Sequence, residues 1–113
     1  MSEKTTKKED AVKLVGQASN EAIAAWKATH KGGIYGCKAD GHISYFKNPS
    51  RQEVGMYLDK SDELSTIARI EDFMGTTFLG GSEAWRENDE IFLGMSQVVR
   101  EKMNGVPVRL VNL

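Results

Sequence analysis

The stretch from Gly33 to Ser50, "GIYGCKADGHISYFKNPS", decides the fold. Asp40-Gly41 lies between two aromatic and β-branched runs, and Asp-Gly supplies the two positive-φ positions that a tight type I′ turn requires. The stretch predicts an antiparallel hairpin over residues 33–48 that passes directly into a helix at Pro49-Ser50. With a two-residue turn, Ala39 faces His42 and Cys37 faces Ser44, so Cys37 and His42 become diagonal neighbours on one face. Gly36, inside a strand-like run, is read as a bulge or a close backbone contact.

Toward the C-terminus, Ser50 and Glu53 form an S-x-x-E capping box, which predicts a helix to about Lys60. Ser61 or Asp62 is placed to cap the next helix, with Leu64, Ile67, Ala68, Ile70 or Glu71, and Met74 on one face and closure at Gly75. "TTFLGG" reads as a short strand or packed turn, with Gly80 or Gly81 at positive φ where the chain reverses. Asn88 or Asp89 starts the last helix, whose first turn is acidic and last turn mainly basic, as the helix dipole favours. Asn104-Gly105 ends it.

Toward the N-terminus, Val12, Val15, Ala18 or Ser19, Ala22, Ile23 and Trp26 recur at helical spacing. A helix over 10–30 is expected, capped by Asp10 and closed by "HKGG". Residues 1–9 are charged and polar and read as a flexible tail. The whole is an α+β domain over 10–113: a β-hairpin with short additional strands packed against three to four α-helices. The end of the chain, "VPVRLVNL" over 106–113, is apolar and β-prone. It is expected to pair with the hairpin edge or with another subunit, as a C-terminal strand or arm.

Length and composition bound the rest. The chain has 113 residues, 40% hydrophobic and 27% charged, which suits one ordinary globular domain. The net charge of −1 argues against a generic polyanion binder. Charge is uneven, however: residues 50–90 hold ten acidic and four basic groups, and the remainder eleven basic and six acidic. The single cysteine, Cys37, precludes an internal disulfide and any CxxC site. "MSEKTTKKED" has no apolar leader core and no run is long enough to span a bilayer, so synthesis and use inside a cell, away from membranes, is expected.

No catalytic residues, cofactor or metal emerge from the motifs. "GGIYGCKADG" is neither a phosphate-binding loop nor a dinucleotide fingerprint. His30, Cys37, Asp40 and His42 are the one cluster with metal-ligand atoms, but a structural zinc site needs four ligands and His30 stands at a helix end. Cys37 is instead expected as a half-buried thiol and His42 as an exposed imidazole. The carboxylate pairs Asp62/Glu63, Glu71/Asp72 and Asp89/Glu90 are explained by capping and solvation. Trp26, Tyr35, Tyr45, Phe46 and Trp85 read as core or interface anchors, because no basic stripe accompanies them as on a nucleic-acid platform.

"HKGGIYGCKADGHISYFKNPSRQEV", "SDELSTIA" and "FLGGSEAWRENDEIFLGMSQVV" together resemble a family of small proteins encoded by tailed bacteriophages and prophages of Bacteroidetes-type hosts. The resemblance spans roughly His30 to Met103. It is carried by Tyr45, Phe46, Lys47, Pro49, Ser50 and Arg51 and by Phe78, Leu79, Gly80, Gly81, Ser82 and Glu83. Size, charge and the helix-plus-hairpin make-up are also similar to tail assembly chaperones, which coat the tape-measure protein while a phage tail is built. The resemblance implies a non-enzymatic assembly protein in the host cytoplasm, binding a tape-measure or tail-tube partner. Alternatives are a structural virion component of head or tail, or a phage protein that blocks a host defence enzyme. The candidate client-binding or self-association surface is Val12, Val15, Ala22 and Trp26 with Val108, Leu110 and Val111. These residues lie outside the best-matched stretch, so the surface is read from their apolar character alone.

Overall fold

The hairpin forms as its turn residues dictate. Asp40 (φ 50°) and Gly41 (φ 81°) both occupy the left-handed region, and strands β1 (Ile34–Ala39) and β2 (His42–Lys47) flank them. Their register pairs Ala39 with His42, Cys37 with Ser44 and Tyr35 with Phe46. The computed structural model describes residues 14–60 and 64–113. Around the hairpin stand α1 (Asn20–Thr29), α2 (Arg51–Asp59), α3 (Thr66–Thr77), β3 (Phe78–Gly81), a 3-10 turn (Ala84–Arg86) and α4 (Asp89–Met103). Among the described residues the molecule is an α+β fold of four α-helices and a three-stranded antiparallel sheet in the order β1-β2-β3.

Strand alternation gives the sheet two dissimilar faces. Tyr35, Cys37 and Phe46 point toward α3 and α4, where they join a core of Ile70, Phe73, Met74, Trp85, Ile91, Phe92, Met95 and Val99. Phe46 has no exposed surface and stacks against Tyr35, with its edge contacts to Phe78 and Trp85. Each such buried side chain stabilises by roughly 1.5–3 kcal/mol before conformational entropy is charged against it. The opposite face presents Ile43 and Tyr45, and α1 lays Trp26 on it: the Trp26 and Tyr45 rings lie 5.3 Å apart, while Gly36 and Lys38 stay exposed. Gly36 sits on this second face, where a Cβ would meet Ile43 and Tyr45 at ordinary distances, whereas the sheet's bulge falls between Tyr45 and Phe46 of β2. Gly36 is thus neither the bulge nor a close backbone contact: only side-chain atoms stand near it, at ordinary van der Waals distances.

Caps set the helix starts. In α2 the Ser50 side chain accepts from the Glu53 amide while the Glu53 carboxylate accepts from the Ser50 amide, the predicted capping box. Asn88 caps α4 through the Ile91 amide. Ser65 caps α3, so this helix starts at Thr66; the proposed caps Ser61 and Asp62 lie outside the described residues. Nor does α3 close at Gly75. It runs on to Thr77, whose buried hydroxyl donates to the Phe73 carbonyl at 3.1 Å and supplies a local partner at the helix end.

The N-terminal helix is the main departure from expectation. Asp10 and Val12 lie outside the described residues, and residues 14–19 are not helical. Ser19 caps α1 by accepting from the Ala22 amide. Upstream, Val15 forms a parallel bridge to His42: its amide donates to the Gly41 carbonyl and its carbonyl accepts from the Ile43 amide. Gly16 follows at φ 90°, with space for a Cβ filled by the Ser82 amide nitrogen at 2.1 Å. Tertiary hydrogen bonds to β2 and a glycine that α-helix does not need replace the first turns of the expected helix.

Candidate functional site

From Gly105 the chain leaves the domain. Val106, Val108, Leu110 and Val111 are 77, 89, 87 and 67% exposed, and Leu113 is fully exposed. No residue of 106–113 has regular secondary structure, and no backbone hydrogen bond joins the arm to the described domain. Of the two expected pairings, with the hairpin edge or with another subunit, the first is not formed in this chain: the segment is an arm and not a strand. Gly105 holds φ 74°, and the next dipeptide is Val-Pro. A residue before proline is confined to extended conformations and proline fixes its own φ, so the exit from α4 is stiff and directed outward. Beside the exit, a shallow groove of about 650 Å³ runs between α2 and α4, with Val54, Tyr57, Leu58 and Met103 in its wall.

A second unpartnered element is the outer edge of β1, the longer of the sheet's two edge strands. β2 is central, paired to β1 on one side and to β3 and Val15 on the other. The direction of each main-chain group follows from Ile43, whose amide donates to Val15 and whose carbonyl accepts from the Ser82 amide, both away from β1. Lys38 faces Ile43 and so forms a pair without mutual bonds; alternation then turns the amides and carbonyls of Ile34, Gly36 and Lys38 outward. None of these six groups has a backbone partner beyond the hairpin among the described residues. The one charged residue in β1 is Lys38, and the strand has no proline and no register shift against β2. Edges that stay exposed are ordinarily blunted by such devices.

The sequence-derived surface divides between these features and the domain. Val108, Leu110 and Val111 are together on the arm. Val12 lies outside the described residues, and Val15, although 58% exposed, belongs to the bridged segment and not to a helix face. Ala22 and Trp26 are half-buried on α1, and the Trp26 ring is spent within the chain, packed on Tyr45 and against Gly80, where an added Cβ would stand 2.8 Å from it. An N-terminal apolar face continuous with the arm is not formed.

A polar cluster absent from the sequence reading lies at the far end of β2. His42 Nδ1 and Ser82 Oγ share a 2.8 Å hydrogen bond, Ser82 Oγ also accepts from the Ala84 amide, and the buried Ser44 hydroxyl donates to the Ser82 carbonyl at 2.6 Å. These bonds fasten the turn after β3 to the sheet, and Ser82 is itself buried. His42 is thus a half-buried, bonded imidazole and not the exposed one expected. Its partner is forty positions away, beyond the reach of local pattern; the only local signal was a short polar residue just after Gly80-Gly81.

Cys37 is 4% exposed, more deeply buried than expected. Burial pushes its thiol up to about 11, against a smaller opposing effect of the Lys102 charge. Burial likewise raises the Tyr35 phenol, with Cys37 adding to the shift. Neither group is prepared to ionise. Among the described residues no three histidine, cysteine or carboxylate side chains gather as a metal site. No helix among them is long and apolar enough to cross a membrane. The sequence matches no family model and no curated protein, and the fold matches no solved structure.

Proposed function

We propose that the chain is a non-enzymatic assembly protein that works through its C-terminal arm, in the manner of a phage tail assembly chaperone. The observation that carries this reading is the arm: five large apolar side chains held in solvent beside a domain whose own core is already closed. Transfer of such side chains from water onto a partner gives association its driving force, and proteins seldom leave them exposed in series without a partner. The phage assignment rests on the sequence resemblance over residues 30–103. In it, the arm engages apolar stripes of a long helical tape-measure client until tail-tube subunits replace the chaperone.

Co-expression with the tape-measure protein encoded by the same genome tests the reading. The tape measure is expected to remain soluble and to co-purify with the chain, and Val108→Asp with Leu110→Asp is expected to abolish the complex while leaving the helical spectrum intact. A tape measure that binds both forms equally, or neither, overturns it. So does recovery of the chain as a stoichiometric component of purified particles, which identifies a virion protein instead.

A further inference from the structure

We infer that the open β1 edge receives the Val106–Leu113 arm of a second copy of this chain, so that two copies exchange arms reciprocally and each sheet gains a fourth strand. The inference goes beyond the client reading and does not rest on it, because it needs only the arm and the β1 edge, which every copy carries.

Three observations select a second copy as the occupant. First, the elements match in capacity: β1 turns the amides and carbonyls of alternate residues outward, and every arm residue from Val108 to Leu113 has an amide and a carbonyl to offer. The edge presents its groups at Ile34, Gly36 and Lys38, the alternate positions that an added strand bonds. Second, the arm does not fold back on its own domain. Lys102 lies over the Tyr35 ring at 5.1 Å, so α4 ends beside the start of β1, yet the Gly105-Val106-Pro107 exit carries the arm off, with Val108 and Leu110 at 89 and 87% exposure. A stiff exit that prevents immediate return favours the same contact made between copies, as in domain exchange. Third, charge leaves most of the edge open to the arm. Each element carries one base, Arg109 on the arm and Lys38 on β1, and the uncharged run Ile34–Cys37, which forms most of the edge, receives the arm in a register that keeps the two bases apart. A two-fold arrangement closes on itself, since each copy gives one arm and receives one. It therefore ends at the dimer and leaves neither β1 edge free for further pairing.

The test uses the full chain in solution, by light scattering and by hydrogen exchange at the Gly36 and Lys38 amides. Wild-type protein is expected at twice the monomer mass of 12.5 kDa, with both edge amides exchanging at least tenfold more slowly than in Val108→Asp/Leu110→Asp. That variant is expected at the monomer mass with unchanged helical content, because neither side chain is buried in the domain. A second variant, Lys38→Pro, removes one outward amide while sparing the arm and should also weaken the dimer. A wild-type monomer overturns the inference, whether its edge amides are open or are protected by the arm in the same chain. A dimer that survives the arm substitutions overturns it too, as does one lost with no change in edge exchange, which would place the arm elsewhere, such as the groove between α2 and α4. The client reading is judged separately by tape-measure co-purification, so either can fail alone.

Discussion

At the scale of single residues, the fold depends on a few positions where a side chain has no room. Gly16 combines φ 90° with a would-be Cβ at 2.1 Å from the Ser82 amide nitrogen and 2.7 Å from the Ile43 carbonyl oxygen. Both contacts are backbone and belong to the sheet, so neither can yield cheaply. Gly16→Ala should cost at least about 2 kcal/mol in urea unfolding, the positive-φ strain and the overpacking adding. Gly105→Ala is the control: φ is 74° but nothing lies within 4 Å, so the cost should stay near 1 kcal/mol or below. Equal losses at the two positions would show that the Gly16 contact is not as close as described. Cys37 offers a chemical readout at the same scale. With its thiol pushed up to about 11, thiolate at pH 8 is about a hundredfold scarcer than for an ordinary cysteine, and the sulfur is also shielded. A thiol reagent should react only as urea unfolds the chain; rapid labelling of the folded protein would contradict the burial.

Among the elements, those specified by neighbouring residues were legible in the sequence and those specified from afar were not. Asp40-Gly41, the Ser50/Glu53 box and Asn88 each act within four residues, and hairpin, α2 and α4 follow where those signals stand. The first helix starts later than its apolar spacing predicts: that spacing continues through Val15, whereas Val15 is held by β2, more than twenty-five residues ahead. Gly16 within that stripe and Ser19 before "NEA" were the available local hints of a later start. Ser82 and His42 were not legible together at all. The capping box also gives α2 a pH dependence. Burial alone would raise the Glu53 carboxyl, but the hydrogen bond and charge of Lys47, at 2.6 Å, and the bond from the Ser50 amide outweigh it and hold the carboxyl below its usual range. A group with a depressed folded pKa contributes stability above its unfolded value, near pH 4.3, and loses it as pH falls through the folded one. Glu53→Gln should therefore destabilise at pH 7 and converge with wild type in acid. Ser50→Ala should cost about 1 kcal/mol. A Glu53→Gln deficit that is constant from pH 7 to pH 3 would remove the ionic part of this account.

For the whole molecule, the sheet packs α3 and α4 on one face and Trp26 on the other, its β1 edge has no backbone partner among the described residues, and the arm projects with its apolar groups unspent. The sequence signalled an apolar end that water does not suit, but it left open whether that end pairs at home or abroad; the answer depends on the exit geometry at Gly105 and Pro107 and on which edge β3 and Val15 leave free. The central claim is that the arm works between chains. It is tested most directly by mixing isotopically labelled wild-type protein with unlabelled chains that carry a nitroxide at Asn112→Cys, where the buried Cys37 stays unmodified. Any broadening in the labelled chain is then intermolecular. The account predicts broadening centred on the Gly36 and Lys38 amides of β1, lost when the spin-labelled chains also carry Val108→Asp and Leu110→Asp; no broadening, or broadening centred on α2 and α4, would contradict it.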